Sequence, residues 1–310
     1  MGRVSEARDV IDMLSLEPEA DKRHEDTDVT MAMIDLTLEE ESAQQHGNWQ
    51  EIFTQGEQCF FQRLVLAVMS LCMLQISGVN LITYYASVIF QDTLGMSRNM
   101  SLLITGFNGL EYWLATFIPI PLIDRVSRRR IMIFSAIGQS LSMAVLAGTT
   151  AYPDSKGAGY TTAVFLFVFN TFLAIGMDGI PFLLPVELAP LKTHAKSVAI
   201  ATGFFWLCNF FVVMISPVPI TRIKYGTYIL WAGTNFAFIP LIYFLIPETM
   251  KANLENIDIL FERNPTWLIG PGSRQKLAVI VREREGLDEV QRQHGHEDEK
   301  EAIKNIEDAS

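Results

Sequence analysis

The sequence predicts an all-α membrane protein: a bundle of six transmembrane helices flanked by short amphipathic helices and charged arms. Three observations predict it. Six stretches are long and apolar enough to cross a bilayer, charge is confined to the two ends and the loops, and the basic loops alternate along the chain. The overall 49% apolar content does not decide the matter, because a soluble domain of 310 residues reaches the same value.

The first sixty residues are polar and acidic. Ala7, Val10, Ile11 and Leu14 have helical spacing, so Ser5 to Leu16 reads as a short amphipathic helix, with a second from Asp28 to Glu41. Trp49, Ile52 and Phe53 form a third apolar piece suited to lying against the bundle or the membrane. The spans come next, from Leu64 to Phe90, Ser101 to Ile123, Ile131 to Ala151, Thr161 to Val186, Val198 to Ile220, and Tyr228 to Ile246. Each supplies the roughly 20 residues that a hydrocarbon core about 30 Å thick requires. A soluble helix of that length shows a polar face, whereas Ile131 to Thr150 contains no charged residue. After the last span, Leu254, Ile257, Leu260 and Phe261 mark a further amphipathic helix. Beyond Arg282 the chain is almost wholly charged and reads as disordered, its His294 and His296 solvated rather than metal-bound.

The loops set an orientation. Arg125, Arg128, Arg129 and Arg130 crowd the second junction, and Lys192, His194 and Lys196 follow the fourth span. The positive-inside rule puts these loops in the cytosol, and six spans then put both tails there too. The loop with Arg222 and Lys224 fits this assignment least well. Residues 1–62 are thus a cytosolic helical linker, 63–247 the bundle and 248–310 a cytosolic tail.

The net charge of -11 lies mostly in the arms and argues against nucleic acid as a partner. Cys59, Cys72 and Cys208 are widely spaced and make no metal or redox pattern, so no cofactor is expected. No early apolar core marks a secretory signal, and the first long span would direct insertion itself. No nucleophile–base cluster, phosphate loop or metal motif appears, which argues against an enzyme.

Short motifs give the bundle a more specific reading. Leu74-Gln75-Ile76-Ser77-Gly78-Val79-Asn80-Leu81-Ile82-Thr83-Tyr84-Tyr85 resembles the QQxxGxNxxxYY motif of the sugar porter family within the major facilitator superfamily. Asp124-Arg125-Val126-Ser127-Arg128-Arg129 resembles that family's D-R-x-G-R-R loop, and Pro185-Val186-Glu187-Leu188-Ala189-Pro190 its P-x-E-x-x-P signature. Trp206-Leu207-Cys208-Asn209-Phe210 resembles N-W-x-x-N-F. Pro247-Glu248-Thr249 with Leu254-Glu255-Asn256-Ile257-Asp258 resembles the P-E-T ending. All stand in the family's order, to about Phe261, and Glu111-Tyr112-Trp113 has a filamentous-fungal flavour. The family has two six-helix halves, and this chain resembles the second with part of the central linker. The resemblance implies a plasma-membrane monosaccharide carrier, with a sugar and in some members a proton as cargo, and a missing N-terminal half as partner. The competing class is a non-transporting membrane protein, a sugar sensor or degenerate half.

A sugar pocket needs neutral groups that both donate and accept, plus an aromatic plate. Gln75, Asn80 and Tyr84 meet that need on the first span, although buried amides also serve simply to join helices in membranes. Gly78 allows a bend there. The resemblance puts Phe182 where the family has a sugar-facing tryptophan, and Gly176, Gly179 and Pro181 imply a broken fourth helix. Leu74, Phe205 and Tyr112 replace polar family contacts, so the pocket is more apolar than a typical hexose site. Glu111 and Asp178 lie inside spans, where a carboxylate costs on the order of 3 kcal/mol. Glu111 is therefore expected to line the cavity, accept substrate hydroxyls or hold a proton, or serve as a structural acid. By resemblance Asp124, Arg125, Arg128, Arg129 and Glu187 form a charged gate, loosened by Ser127 and His194 at positions where the family has glycine and arginine.

Overall fold

The computed structural model describes residues 49–56, 58–152, 156–223, 225–250, 252 and 254–283, together with Ile11, Thr27 and Met31. The chain divides into two compact units, Met1–Glu51 and Ile52–Ser310. The candidate helices at Ser5 to Leu16 and Asp28 to Glu41 and the histidines of the tail lie outside the described residues. The second unit is helical throughout and contains no strand among the described residues.

The first span is two helices, α1 (Phe60–Ile76) and α2 (Val79–Leu94). The break falls at Ser77-Gly78, and three features hold it. Gly78 has φ +98°, the left-handed region that only glycine adopts freely. A Cβ there would lie 2.6 Å from the Trp231 ring and 2.8 Å from the Met143 methyl, so the site is closed by packing as well. The Ser77 carbonyl, freed from the helix ladder, accepts a hydrogen bond from Asn235 Nδ2 at 2.7 Å. A broken helix survives inside a membrane only when its loosened backbone finds such protein partners.

The second expected span is also divided, into α3 (Arg98–Ala115) and α4 (Pro119–Ile123). Pro119 and Pro121 lack backbone N–H groups and clash with the turn before them, so the helix stops and restarts with Pro119 in its first turn. Five other apolar helical stretches are long enough to cross a membrane, among the described residues: Phe60–Gln91, Arg128–Thr150, Gly157–Leu188, His194–Ile220 and Tyr225–Leu245. These five match five of the six expected spans; the second expected span is divided before Pro119, and neither of its pieces is among them.

The third span is α5 (Arg128–Thr150), the most central element. It packs against α6 (Lys156–Phe172), against the π-helical segment Leu173–Asp178, and most extensively against the last span. Close approach explains two glycines. A Cβ on Gly176 would lie 2.6 Å from the Ile131 carbonyl oxygen, and one on Gly138 would enter the Phe172 ring. The fourth span continues past the π segment as α7 (Gly179–Leu188). Gly176, Gly179 and Pro181 do mark an irregular helix, but the irregularity is a wide turn that leads into Pro181 rather than a gap. Then come α8 (His194–Ile215), α9 (Pro217–Arg222) and α10 (Tyr225–Leu245). Only 11% of the apolar window of His194–Ile220 is buried, against 67% for Phe60–Gln91, so α8 presents Trp206, Phe210, Phe211 and Met214 outward.

After the last span the chain folds back. In α11 (Leu254–Arg263), Ile257, Leu260 and Phe261 are buried on one face, as their spacing predicts. The buried Arg63 at the start of α1 pairs with Asp258 at 2.6 Å and lies over the Phe261 ring, 4.6 Å from its centroid. Gln62 Nε2 donates to the Thr266 carbonyl at 2.9 Å. This end of the first span is thereby pinned to the tail.

Candidate functional site

The helix break in the first span sets the geometry of the predicted amides. Gln75 is in the last turn of α1 and Asn80 in the first turn of α2; both are buried, and Asn80 Nδ2 donates to Gln75 Oε1 at 2.7 Å. Each amide carries two donor hydrogens and one acceptor oxygen. Their mutual bond leaves the Gln75 NH₂ group and the Asn80 carbonyl oxygen for other partners. Tyr84, one turn further along, is exposed.

Glu111 sits on α3 with Thr171 of α6 donating to its Oε1 at 2.6 Å. Its Oε2 is buried without a hydrogen-bond partner. One turn earlier, the buried Asn108 accepts from Asn170 Nδ2 at 2.8 Å, while its own Nδ2 is buried and unpartnered. The Tyr112 hydroxyl and the Asp178 carboxyl lie near each other across the same seam. Polar side chains thus join α3 to the fourth span at successive turns, ending at the π segment. Among the described residues no hydrogen bond links Glu111 to the Gln75–Asn80 pair. Sequence reasoning misses Asn108 and Asn170. Their signal is two asparagines inside apolar spans, but nothing local distinguishes them from helix-joining amides.

Phe182 on α7 is partly exposed, and its ring meets Phe205 of α8 edge-on at 5.0 Å. Phe205 in turn meets Trp206 at 5.2 Å. Phe182 and Phe205, two of the positions at which the sequence departs from the family's pattern, are therefore in contact with each other and form an apolar wall rather than isolated substitutions.

At the arginine-rich end, Arg128 directs Nη2 and Nε to Glu187 Oε1, at 3.0 and 3.2 Å. Glu187 Oε2 accepts the Thr249 hydroxyl. Glu248, buried, accepts the backbone N–H of Arg128 at 3.1 Å and that of Met250 at 3.2 Å. It so places an acidic side chain on the positive N-terminal end of α5. Arg129 takes a different course: it donates to the Gly270 carbonyl and lies over the Tyr243 ring. Asp124 and Arg125 are exposed and make no ion pair with a described residue. In this geometry Glu187 pairs with Arg128 and not with Arg125 or Arg129. Successive arginines on a helix start point in different directions, and only Arg128 faces the fourth span. His194 contacts the Val186 carbonyl at 3.1 Å rather than a charge. Glu248 and Thr249 belong to the cluster, and the Pro247-Glu248-Thr249 motif is the signal for them.

The comparisons with known proteins agree with this architecture. A family profile described as "Sugar (and other) transporter" matches residues 1–261. Similar curated proteins include the MFS-type transporter oryC of Aspergillus oryzae, 34% identical over 67% of this chain and 39% of that protein. The sugar transporter STL1 of Saccharomyces cerevisiae is 31% identical over 84% of this chain and 45% of its own length. A probable quinate permease of Aspergillus niger is 30% identical over 62% and 37%. These relatives are carriers and permeases, not enzymes. The chain spans about two fifths of their length. Among solved structures, the proton:xylose symporter XylE bound to 6-bromo-6-deoxy-D-glucose has a TM-score of 0.58 at 24% identity, covering 64% of this chain and 42% of that one. A double-tryptophan variant of XylE has a TM-score of 0.64 at 21% identity, covering 82% and 53%. Both show the major facilitator fold.

Proposed function

Because the chain belongs to the sugar (and other) transporter family and is an integral multi-pass membrane protein, we propose that it forms the C-terminal half of a plasma-membrane carrier for a polyhydroxylated ring, a monosaccharide in the first instance. The observation that carries this reading is the Gln75–Asn80 pair at the break of the first span. Its remaining donor and acceptor match the dual character of a hydroxyl group, and broken helices at mid-membrane are where carriers hold their cargo. Tyr84 and Phe182 supply aromatic faces, and Glu111 supplies a further acceptor. The Phe182–Phe205 wall makes the pocket less polar, which favours a substrate with fewer hydroxyls to satisfy.

In this reading the arginine-rich end is cytosolic, with both tails on that side. The Arg128–Glu187–Thr249 cluster, with Glu248 on the start of α5, closes the cavity inward; Arg129 ties the start of α5 to Gly270, and Asp124 and Arg125 stand exposed beside it. Alternating access requires two halves that rock about a shared site, so the 310-residue chain alone in liposomes is expected not to transport.

The test is uptake in yeast lacking hexose uptake, with this chain joined behind the N-terminal six-helix half of the STL1 relative. Labelled monosaccharides and quinate are offered, with Q75L and N80L as comparisons. Saturable uptake that both substitutions abolish supports the reading. A joined carrier that reaches the plasma membrane and moves none of the substrates, or one indifferent to both substitutions, sinks it.

A further inference from the structure

The seam between α3 and the fourth span holds two buried polar atoms with nothing to bond. Asn108 is 4% exposed; its oxygen accepts from Asn170, and its Nδ2 is bare. Glu111 Oε1 accepts from Thr171, and its Oε2 is bare. One atom is a donor and the other an acceptor. The residues are three apart on one helix, so they share a face, with Cβ atoms about 5–6 Å apart. Asn170 and Thr171 fix both side chains from the opposite helix, directly before the π segment Leu173–Asp178. Segments of this kind recur at functional sites because the widened turn redirects side chains. Glu111 itself is only partly buried, so the seam opens on its side.

We infer that Asn108 and Glu111 form a clasp for a single substrate hydroxyl: the Asn108 amide donates to its oxygen, and Glu111 Oε2 accepts its proton. The inference rests on the carrier reading and adds to it a specificity-determining residue, Asn108, outside the Gln75–Asn80 site. A site built around a bare donor and a bare acceptor rejects an analogue that lacks the hydroxyl, because both groups are then left buried and unpaired. A methyl ether or a deoxy position is disfavoured for the same reason. Water has the same donor–acceptor chemistry, and the two sources differ in what a deoxy analogue does.

The experiment is saturation-transfer NMR on the 310-residue chain in lipid nanodiscs, titrated with a monosaccharide and its single-position deoxy analogues. This method reads weak binding and needs no transport. One deoxy analogue is expected to bind the wild-type chain at least roughly tenfold more weakly than the parent, since it leaves both the Asn108 donor and the Glu111 acceptor unpaired. In N108L and E111L that preference disappears. In E111Q it survives, because the amide oxygen accepts the same proton. In N170L it also survives, because the Asn108 partner is removed but the bare NH₂ group remains. N108D, which keeps the shape and removes the donor, replaces N108L if the latter does not fold. Several results overturn the clasp. The preference could persist in N108L or N108D and in E111L, or fall as far in N170L as in N108L, which makes Asn108 merely structural. All deoxy analogues could match the parent on the wild-type chain, which assigns the hydroxyl to water. Failure of the clasp alone leaves wild-type binding and uptake by the joined carrier intact. Absence of transfer to any sugar, together with no uptake, removes the carrier reading as well.

Discussion

Replacing Gly78 by alanine tests the claim that the first span is broken on purpose and locked against the last span. Two costs add. The left-handed backbone at φ +98° disfavours a Cβ by about 1–2 kcal/mol. The new methyl also meets the Trp231 ring at 2.6 Å and the Met143 methyl at 2.8 Å. The methionine end swings away easily, but the indole is held between helices, and overpacking of this kind costs about 1–3 kcal/mol. The sum is about 2–5 kcal/mol. Gly95 is the matched control: its φ is +60°, and a methyl added there would meet no atom within 4 Å, so G95A carries the backbone cost alone. The assay is equilibrium unfolding in mixed micelles, followed by tryptophan fluorescence. G78A is expected to be less stable than G95A by the packing share, and W231L in the G78A background to recover part of it. Equal destabilisation by G78A and G95A would refute the reasoning, since it would mean that the break does not pack against α10.

The pinned start of the first span gives a second test. D258N leaves the guanidinium of Arg63 buried without its counter-charge; discounting for the partial exposure of Asp258, this costs about 2–3 kcal/mol, and the double variant R63M/D258N recovers most of it in the same unfolding assay. At the charged cluster, E187Q keeps the shape and removes the charge that Arg128 and Thr249 address. It is expected to weaken the closure by about 1 kcal/mol, seen as roughly fivefold faster hydrogen exchange around residues 248–252, and unchanged exchange there contradicts the assigned pairing. Burial pushes the Cys59 thiol up, with the Arg63 cation pulling partly the other way. A raised value means less thiolate at neutral pH, so maleimide labelling of Cys59 is expected to be slow and to accelerate only under alkaline conditions; fast labelling at neutral pH counts against the buried placement.

Much of this fold is legible in the sequence because bilayer thickness imposes a length and hydrocarbon imposes a composition. The spans follow from those two constraints. Gly78 marks the first break for the same local reason, a backbone state that other residues resist. What the sequence does not reveal is where a freed backbone group finds its partner. Asn235 lies 158 residues from the Ser77 carbonyl it caps, and no local pattern joins them. The division of the second span is readable in principle, since Pro119 and Pro121 stand inside it, but apolar content at that point outweighs a breaker in a length count. The charged cluster is legible in type and not in pairing. Arg125, Arg128 and Arg129 are chemically alike, and only their angular positions at a helix start decide that Arg128 alone reaches Glu187.

The two kinds of polar contact in this bundle differ in a way that bears on the proposed carrier reading. Contacts at the arginine-rich end are charge-assisted and lie near water: Arg128 with Glu187 is partly exposed on both sides. Such pairs are individually weak, and each partner is readily hydrated once separated, so the cluster opens at little cost. Contacts inside the bundle are the reverse. Asn235 to Ser77 and Asn170 to Asn108 are buried with no water to fall back on, so breaking one costs the full desolvation of both groups. Motion is therefore cheapest at the end of the bundle and dearest across its polar seams. Under the proposed carrier reading, a bundle with this distribution would move as a body: the seams would keep α3, the fourth span and the two pieces of the first span in register, while the terminal charge cluster makes and breaks.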